Sequence, residues 1–192
     1  MLSALEVHPR MQEMRVGYNR QNNVIDFATA QQACRLLQKA LATTSCNELQ
    51  LLDLNNVRIG DEGMIRIAHA LADNALLRCL NIAFNSIGAE GARAMGFALQ
   101  TNRALEELDM RDNEVGDEGA EAMSFAMVKN VTLRKLHVAR NEITDKGYIA
   151  FQRLSKECPR LTIDFGASGS AIQHMRSMGR CPRIDYRKFG TG

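Results

Sequence analysis

A repeat of 28 residues constrains this chain more than any other feature of its sequence. Leucine recurs at that spacing in two columns, which are Leu49, Leu77, Leu105, Leu133 and Leu161, and Leu52, Leu80, Leu108 and Leu136. A glycine column follows at Gly63, Gly91, Gly119 and Gly147. A unit this short cannot bury its own apolar face, so neighbouring units must stack and share one core. The sequence therefore predicts a solenoid of four clean repeats over residues 49–160.

Two periodicities follow each other within every unit. Residues 80–82 alternate between apolar and polar side chains, which is the spacing of a strand. Residues 91–99 place apolar side chains at steps of four, which is the spacing of a helix. The predicted fold class is therefore α/β, with parallel strands on one side of the solenoid and helices on the other.

The consensus LxxLxLxxNxLxxxGxxxLxxxLxxN resembles the leucine-rich repeats of the ribonuclease-inhibitor subfamily, from Leu49 to about Cys158. This resemblance implies a curved, right-handed β-α superhelix with strands on the concave face and helices on the convex face. It also implies that the asparagine column turns inward and bonds the backbone of adjacent turns. The rungs of this ladder are Asn85, Asn113 and Asn141, while Val57 occupies the first place in the column.

The two ends of the chain depart from the repeat, as the ends of a solenoid must. Residues 1–22 have no clear period and are assigned to an N-terminal extension. Residues 23–48 are interpreted as a degenerate capping repeat, with a strand over 24–27 and a helix over 30–41. After Phe151 the register slips, because Leu154 rather than residue 155 is apolar. Residues 161–165 then predict a terminal capping strand, which makes about six parallel strands in all.

Composition and motifs argue against an enzyme. The five cysteines are widely spread without a CxxC pair, and no zinc spacing, phosphate-binding loop or nucleophile motif is present. Asp61 and Asp117, each two residues before a repeated glycine, are interpreted as helix caps rather than metal ligands. We therefore expect no catalytic or metal site, no cofactor and no small-molecule substrate.

The concave strand face is the surface that is free to vary, and we expect it to bind a protein. Its charge changes along the repeats from neutral through acidic to basic, and Phe84 supplies an aromatic anchor within a polar rim. The predicted contact residues are Asp53, Asn55, Asn81, Phe84, Glu107, Asp109, Arg111, Asp112, Lys135, His137 and Arg140.

Residues 166–192 form a basic C-terminal tail, with five basic residues against Asp185 alone. Such a tail can pair with an acidic protein surface or with RNA phosphates. The predicted tail contacts are Arg176, Arg180, Arg183, Tyr186, Arg187, Lys188 and Phe189.

These features favour a non-enzymatic protein-interaction scaffold, a small structural subunit of a larger intracellular assembly in a ciliary, axonemal or other cytoskeletal setting. Two alternatives remain at this stage: an RNA-associated subunit that uses the basic tail, and a regulator of an enzyme or small GTPase. No apolar stretch approaches the roughly 20 residues that a membrane-spanning helix needs, so no membrane partner is expected. We expect a cytoplasmic location. A mitochondrial one stays open, because three early arginines are offset by Glu6 and Glu13.

Overall fold

The structure of the chain is a computed structural model that describes residues 12–15 and 49–166. Strands and helices alternate along it. The strands are β1 (Glu13–Arg15), β2 (Leu51–Asp53), β3 (Cys79–Asn81), β4 (Glu107–Asp109), β5 (Lys135–His137) and β6 (Thr162–Asp164). The helices are α1 (Gly60–Asp73), α2 (Ala89–Thr101), α3 (Gly116–Met127) and α4 (Asp145–Glu157).

The six strands form one parallel sheet in the order β1-β2-β3-β4-β5-β6. From β2 to β5 the register is constant, so Leu52, Leu80, Leu108 and Leu136 lie side by side. All four point into the core and are at most 2% exposed. Each helix packs on the next one along the chain. The α/β solenoid predicted from the repeat is confirmed, because one strand and one helix recur in every unit.

The strand that pairs with β2 is β1, in which Met14 lies opposite Leu52. β1 falls within residues 1–22, which the sequence assigned to an extension, and residues 16–48 lie outside the described part of the chain. The strand over 24–27 and the capping repeat therefore stay predictions. The short sequence Glu13-Met14-Arg15 alternates polar and apolar residues, but three residues are too few for a periodicity to be recognised.

At the C-terminal end, β6 occupies the place expected for the terminal strand. Its register with β5 is offset by 27 residues, since Leu136 lies opposite Ile163. One residue is therefore missing from the last turn relative to the repeat. The buried Leu154 shows the same shift, because it lies 27 residues after Met127 rather than 28.

The aspartates at the helix starts cap the helix of the following repeat rather than their own. Asp61 in α1 accepts backbone N–H groups of Gly88 and Gly91 at 2.7 and 2.9 Å, at the start of α2. Asp117 in α3 accepts those of Thr144 and Gly147 at 2.8 and 3.0 Å, at the start of α4. The expectation that each caps its own helix is wrong, because the N-terminus of the next helix lies closer to the carboxylate.

Buried asparagines connect consecutive turns where the strand side of the solenoid ends. Asn85 accepts the N–H groups of Val57 and Ile59 at 3.0 and 3.2 Å, and donates to the carbonyl of Leu54 at 2.8 Å. Asn113 and Asn141 make the equivalent bonds one and two repeats later. Each side chain therefore satisfies backbone groups of the preceding turn.

A second row of asparagines does the same where the helices end. Asn102 donates to the carbonyls of Leu71 and Asn74 at 2.6 and 2.8 Å, and accepts the N–H of Leu105 at 2.8 Å. Asn130 repeats this pattern with the carbonyl of Leu99. Backbone corners on both sides of the solenoid are thus satisfied by side chains of the next repeat.

Replacing Leu108 by Ala removes a side chain that is 0% exposed in a central strand. We expect Leu108→Ala to lower the free energy of unfolding by about 2–5 kcal/mol, because it leaves a cavity in the core. Urea unfolding followed by circular dichroism measures this change. Leu76→Ala, at a side chain that is 37% exposed, serves as control and should cost clearly less. Equal losses would contradict the assigned register.

Replacing Asn113 by Ala leaves buried backbone groups of two turns without partners. We expect a loss of about 1–3 kcal/mol in the free energy of unfolding. Asn55→Ala, at a half-buried position on the sheet surface, is the matched control and should lie within about 0.5 kcal/mol of wild type. An Asn113→Ala midpoint indistinguishable from wild type would show that the asparagine row does not support the fold.

Candidate protein-binding surface on the strands

The constant register of β2 to β5 places the predicted contact residues in rows that cross the sheet. One row joins Leu51, Cys79, Glu107 and Lys135, and the next joins Asp53, Asn81, Asp109 and His137. The predicted residues on the strands therefore share one surface. Along the solenoid this surface has two parts with different chemistry, a charged half and a neutral half.

The charged half consists of residues that pair with one another across repeats. Glu107 lies 3.4 Å from Lys135 Nζ and 3.4 Å from His137 Nε2. The other imidazole nitrogen, His137 Nδ1, lies 3.1 Å from Asp164 in the terminal strand. The imidazole is thus held between two carboxylates.

Arginines complete the charged half. Arg111 binds both carboxylate oxygens of Asp109, at 2.9 and 3.0 Å from Nε. Arg140 binds both oxygens of Asp112 in the neighbouring repeat. Bidentate pairing of this kind fixes both side chains. The members of the charged half are Glu107, Asp109, Arg111, Asp112, Lys135, His137, Arg140 and Asp164.

Burial in the charged half differs from the sequence expectation. Asp109 is 1% exposed and His137 is 8% exposed, although both were expected to face a partner across solvent. Hydrogen bonds with Arg111 and Asp164 hold these side chains against the sheet. The predicted display of free charges is therefore not what these two residues provide.

The protonation of His137 follows from its neighbours. Burial by itself opposes the charged imidazolium, but the hydrogen bonds with Asp164 and Glu107 and the charge of Asp109 outweigh it. Together they raise the pKa of His137 to about 9. At neutral pH both ring nitrogens therefore carry protons and donate to carboxylates. With the imidazolium charged, four acidic and four basic groups balance, and the charged half is electrically neutral.

The neutral half carries no such pairs between repeats. It consists of Leu51, Asp53, Asn55, Asn56, Cys79, Asn81 and Phe84. Asp53 and Asn81 accept backbone N–H groups two residues further along their own turns, at 3.0 and 3.1 Å. Phe84 is 51% exposed at the edge of this half.

Phe84 belongs to a row of residues with left-handed backbone. Asn56, Phe84, Asp112 and Arg140 occupy the same place in consecutive repeats, with φ between 54° and 57°. The backbone N–H of Asn56, Phe84 and Asp112 each donates to a carbonyl of the next turn at 3.0 Å. Residues other than glycine are strained in this conformation, and the surrounding hydrogen bonds hold them in it.

Two features of the surface were missed by the sequence analysis. Asp164 enters the charged half, and the one-residue slip before β6 removes it from the 28-residue columns. Large apolar side chains are exposed on the helices, namely Phe97, Phe125, Val128 and Ile149. The 28-residue spacing of Phe97 and Phe125, away from the core positions of α2 and α3, was a signal for the second feature.

Catalytic and metal chemistry finds no support in this geometry. Within residues 12–15 and 49–166, no group of three or more His, Cys, Asp and Glu side chains is placed to hold a metal ion. The helices in these two ranges are all too short or too polar to cross a membrane. The predicted tail contacts at 176–189 lie outside the described residues and stay predictions.

Raising the pH should weaken the fold through His137. The folded pKa of about 9 lies above the ordinary value of 6.5, so the stabilisation is complete below pH 6.5 and is lost as the pH rises through 9. We expect the free energy of unfolding to fall by about 2 kcal/mol from this group between pH 7 and 9.5. Urea titrations at a series of pH values measure the fall.

Two variants isolate this contribution from other groups that titrate in the same range. His137→Gln should show a smaller decline in stability with pH, because the glutamine carries no titrating proton. His69→Gln, at an exposed position of α1, should keep the decline of the wild type. Identical declines in wild type and His137→Gln would contradict the assigned ion pairs.

Comparison with known proteins places these observations in a family. The model of the Leucine Rich repeat matches residues 45–68, 73–96, 101–124 and 129–151, in phase with the four repeats. The comparison with curated protein sequences gives no match.

Two solved structures share the fold. One is the actin-binding site 2 of leiomodin-1, at 20% identity and a TM-score of 0.61, covering 80% of this chain and 87% of that one. The other is the tropomodulin C-terminal domain of Caenorhabditis elegans, at 17% identity and a TM-score of 0.63, covering 93% and 96%. The repeats, the sheet register and the family match together show that this chain belongs to the leucine-rich repeat proteins.

Proposed function

We propose that this chain is a non-enzymatic protein-binding scaffold of the actin cytoskeleton, and that it binds actin through the neutral half of its strand surface. The observation that carries the proposal is Phe84, a half-exposed aromatic ring on a backbone that the neighbouring repeat holds rigidly. The charged half acts as a support whose charges are already paired with one another.

The rigidity of this surface favours binding. The rows from β2 to β5 are fixed by strand pairing, and the left-handed row is fixed by hydrogen bonds to the next turn. Side chains held in this way lose little conformational freedom when a partner binds. A rigid strand surface therefore supports a scaffold function without any moving part.

The chemistry of the neutral half is typical of a protein epitope. An aromatic side chain often contributes the largest share of binding energy, and uncharged polar groups around it exclude water from the contact. Phe84 has Asn56 and Asp112 as its neighbours in the left-handed row. Leu51 and Cys79, both half-buried, add apolar area to the same half.

The choice of actin as partner comes from the structural neighbours. The leiomodin-1 structure is named as an actin-binding site, and it covers most of this chain at a TM-score of 0.61. At 20% identity this likeness concerns the fold alone. The experiment below therefore tests actin binding and the Phe84 surface separately.

Purified full-length chain should co-sediment with filamentous actin or bind monomeric actin in a fluorescence titration. We expect Phe84→Ala to weaken this binding at least tenfold, which corresponds to about 1.4 kcal/mol or more. Phe97→Ala, at an exposed phenylalanine on the helix side, is the matched control and should bind like wild type.

The two parts of the proposal fail in different ways. Lack of binding to both forms of actin at about 100 μM, a concentration at which even weak protein contacts form, would exclude actin as the partner. Binding that is unchanged in Phe84→Ala would show that the strand surface is not the contact. A variant ending at residue 165 would show in the same assay what the basic tail adds.

A further inference from the structure

The outer side of the solenoid carries an apolar patch that the proposed function does not use. It consists of Phe125 and Val128 on and just after α3, and Ile149, Ala150 and Leu154 on α4. Phe125 is 83% exposed, Ile149 is 46% exposed and Val128 is 42% exposed. Contiguous apolar surface of this kind marks an interaction site more often than it marks ordinary protein surface. We refer to these five residues as the α3–α4 patch.

The patch combines a protruding side chain with a groove. Phe125 stands beside a groove of about 520 Å³ between α3 and α4, which Val128, Ile149, Ala150 and Leu154 also line. A smaller groove of about 380 Å³ lies between α1 and α2. The larger groove adjoins Phe125, the most exposed large apolar side chain among the described residues.

The charges around the larger groove balance. Glu121 and Lys146 face each other at 3.4 Å near the N-terminal ends of α3 and α4. Arg153 and Glu157 line the groove toward the C-terminal end of α4. Two acidic and two basic side chains therefore surround the apolar residues, so a partner of strongly acidic or strongly basic character gains no net attraction from them.

We propose that the α3–α4 patch binds a second copy of this chain about a two-fold axis that runs parallel to the two helices. A two-fold interface must be complementary to itself, and this patch contains both a protruding ring and a groove. In this arrangement α3 of one copy faces α4 of the other. Phe125 then enters the partner's groove, and Glu121 lies opposite the partner's Lys146.

The charge pattern selects a second copy over an unrelated protein. The axis brings Glu121 of each copy to Lys146 of the other, so the intramolecular pair becomes a cluster of four alternating charges. Opposite charges meet across the interface without any change in the chain. The strand surface lies on the far side of the sheet, so the dimer presents two strand surfaces that point in opposite directions.

Sedimentation velocity of the full chain tests the proposal over about 1–200 μM, the range in which a small apolar interface produces a reversible equilibrium. We expect a monomer–dimer equilibrium for wild type and at least a tenfold higher dissociation constant for Phe125→Glu. Phe97→Glu is the matched control, because it occupies the equivalent place one repeat earlier and lies outside the patch. It should dimerise like wild type.

A charge exchange tests the geometry. Glu121→Lys and Lys146→Glu should each weaken self-association, because like charges then meet across the two-fold axis. A mixture of the two variants should form a heterodimer, since two lysines of one chain then face two glutamates of the other. The same mixture with Phe125→Ser added to one variant should not. Thermal unfolding of every variant, which should match wild type at these exposed positions, shows that the variants are folded.

Three results would overturn the proposal. The first is a wild-type chain that stays monomeric at the highest concentration, which would leave the patch to a different protein. The second is a dimer that persists unchanged in Phe125→Glu. The third is a mixture of the charge variants that stays monomeric. None of these results bears on actin binding through Phe84, so the two proposals fail independently.

Discussion

The buried asparagine row is the interaction on which the rest of this structure depends. At the corner between strand and helix, the backbone turns too sharply to satisfy its own N–H and C=O groups, and burying them unpaired costs about 1–3 kcal/mol each. Asn85, Asn113 and Asn141 satisfy these groups in the preceding turn. Because each side chain bonds the turn before it, the spacing and rotation between repeats are set, and the strands stay in register. The rows on the strand surface, including Phe84 and its left-handed neighbours, follow from that register.

The parts of the fold that repeat could be predicted from the sequence, and the parts that break the repeat could not. The leucine and asparagine columns define both the periodicity and the inward direction of the side chains, so the core and the helices were predictable. β1 has only Met14 as an apolar residue between two charges, and no column extends to it at the 28-residue spacing. The direction in which Asp61 caps was also hidden, because the sequence shows an acid near a helix start but not which N-terminus is closer.

The candidate site was predictable in membership and less so in state. Constant register brings the chosen strand residues to one surface, as the repeat requires. Sequence spacing treats each charge as independent, whereas adjacent repeats bring charged side chains close enough to bind one another. Glu107, Lys135 and His137 form such a group, and Asp164 closes it from a turn that is one residue short. The paired charges are a property of neighbouring rows, which appears only when the rows are placed side by side.

These pairs also explain how one surface supports two roles. Buried and partly buried charges that lack partners destabilise a protein, so a charged strand surface is tolerated when its members neutralise one another. That neutralisation stiffens the C-terminal repeats and removes their charges from competition for a partner. The N-terminal repeats carry uncharged polar groups around Phe84 instead, and desolvating such groups costs much less than desolvating ions. A partner therefore gains most from the neutral half. In the proposed dimer the helix side is occupied by the second copy, so both neutral halves stay accessible, and two contacts on one target bind more tightly than either alone.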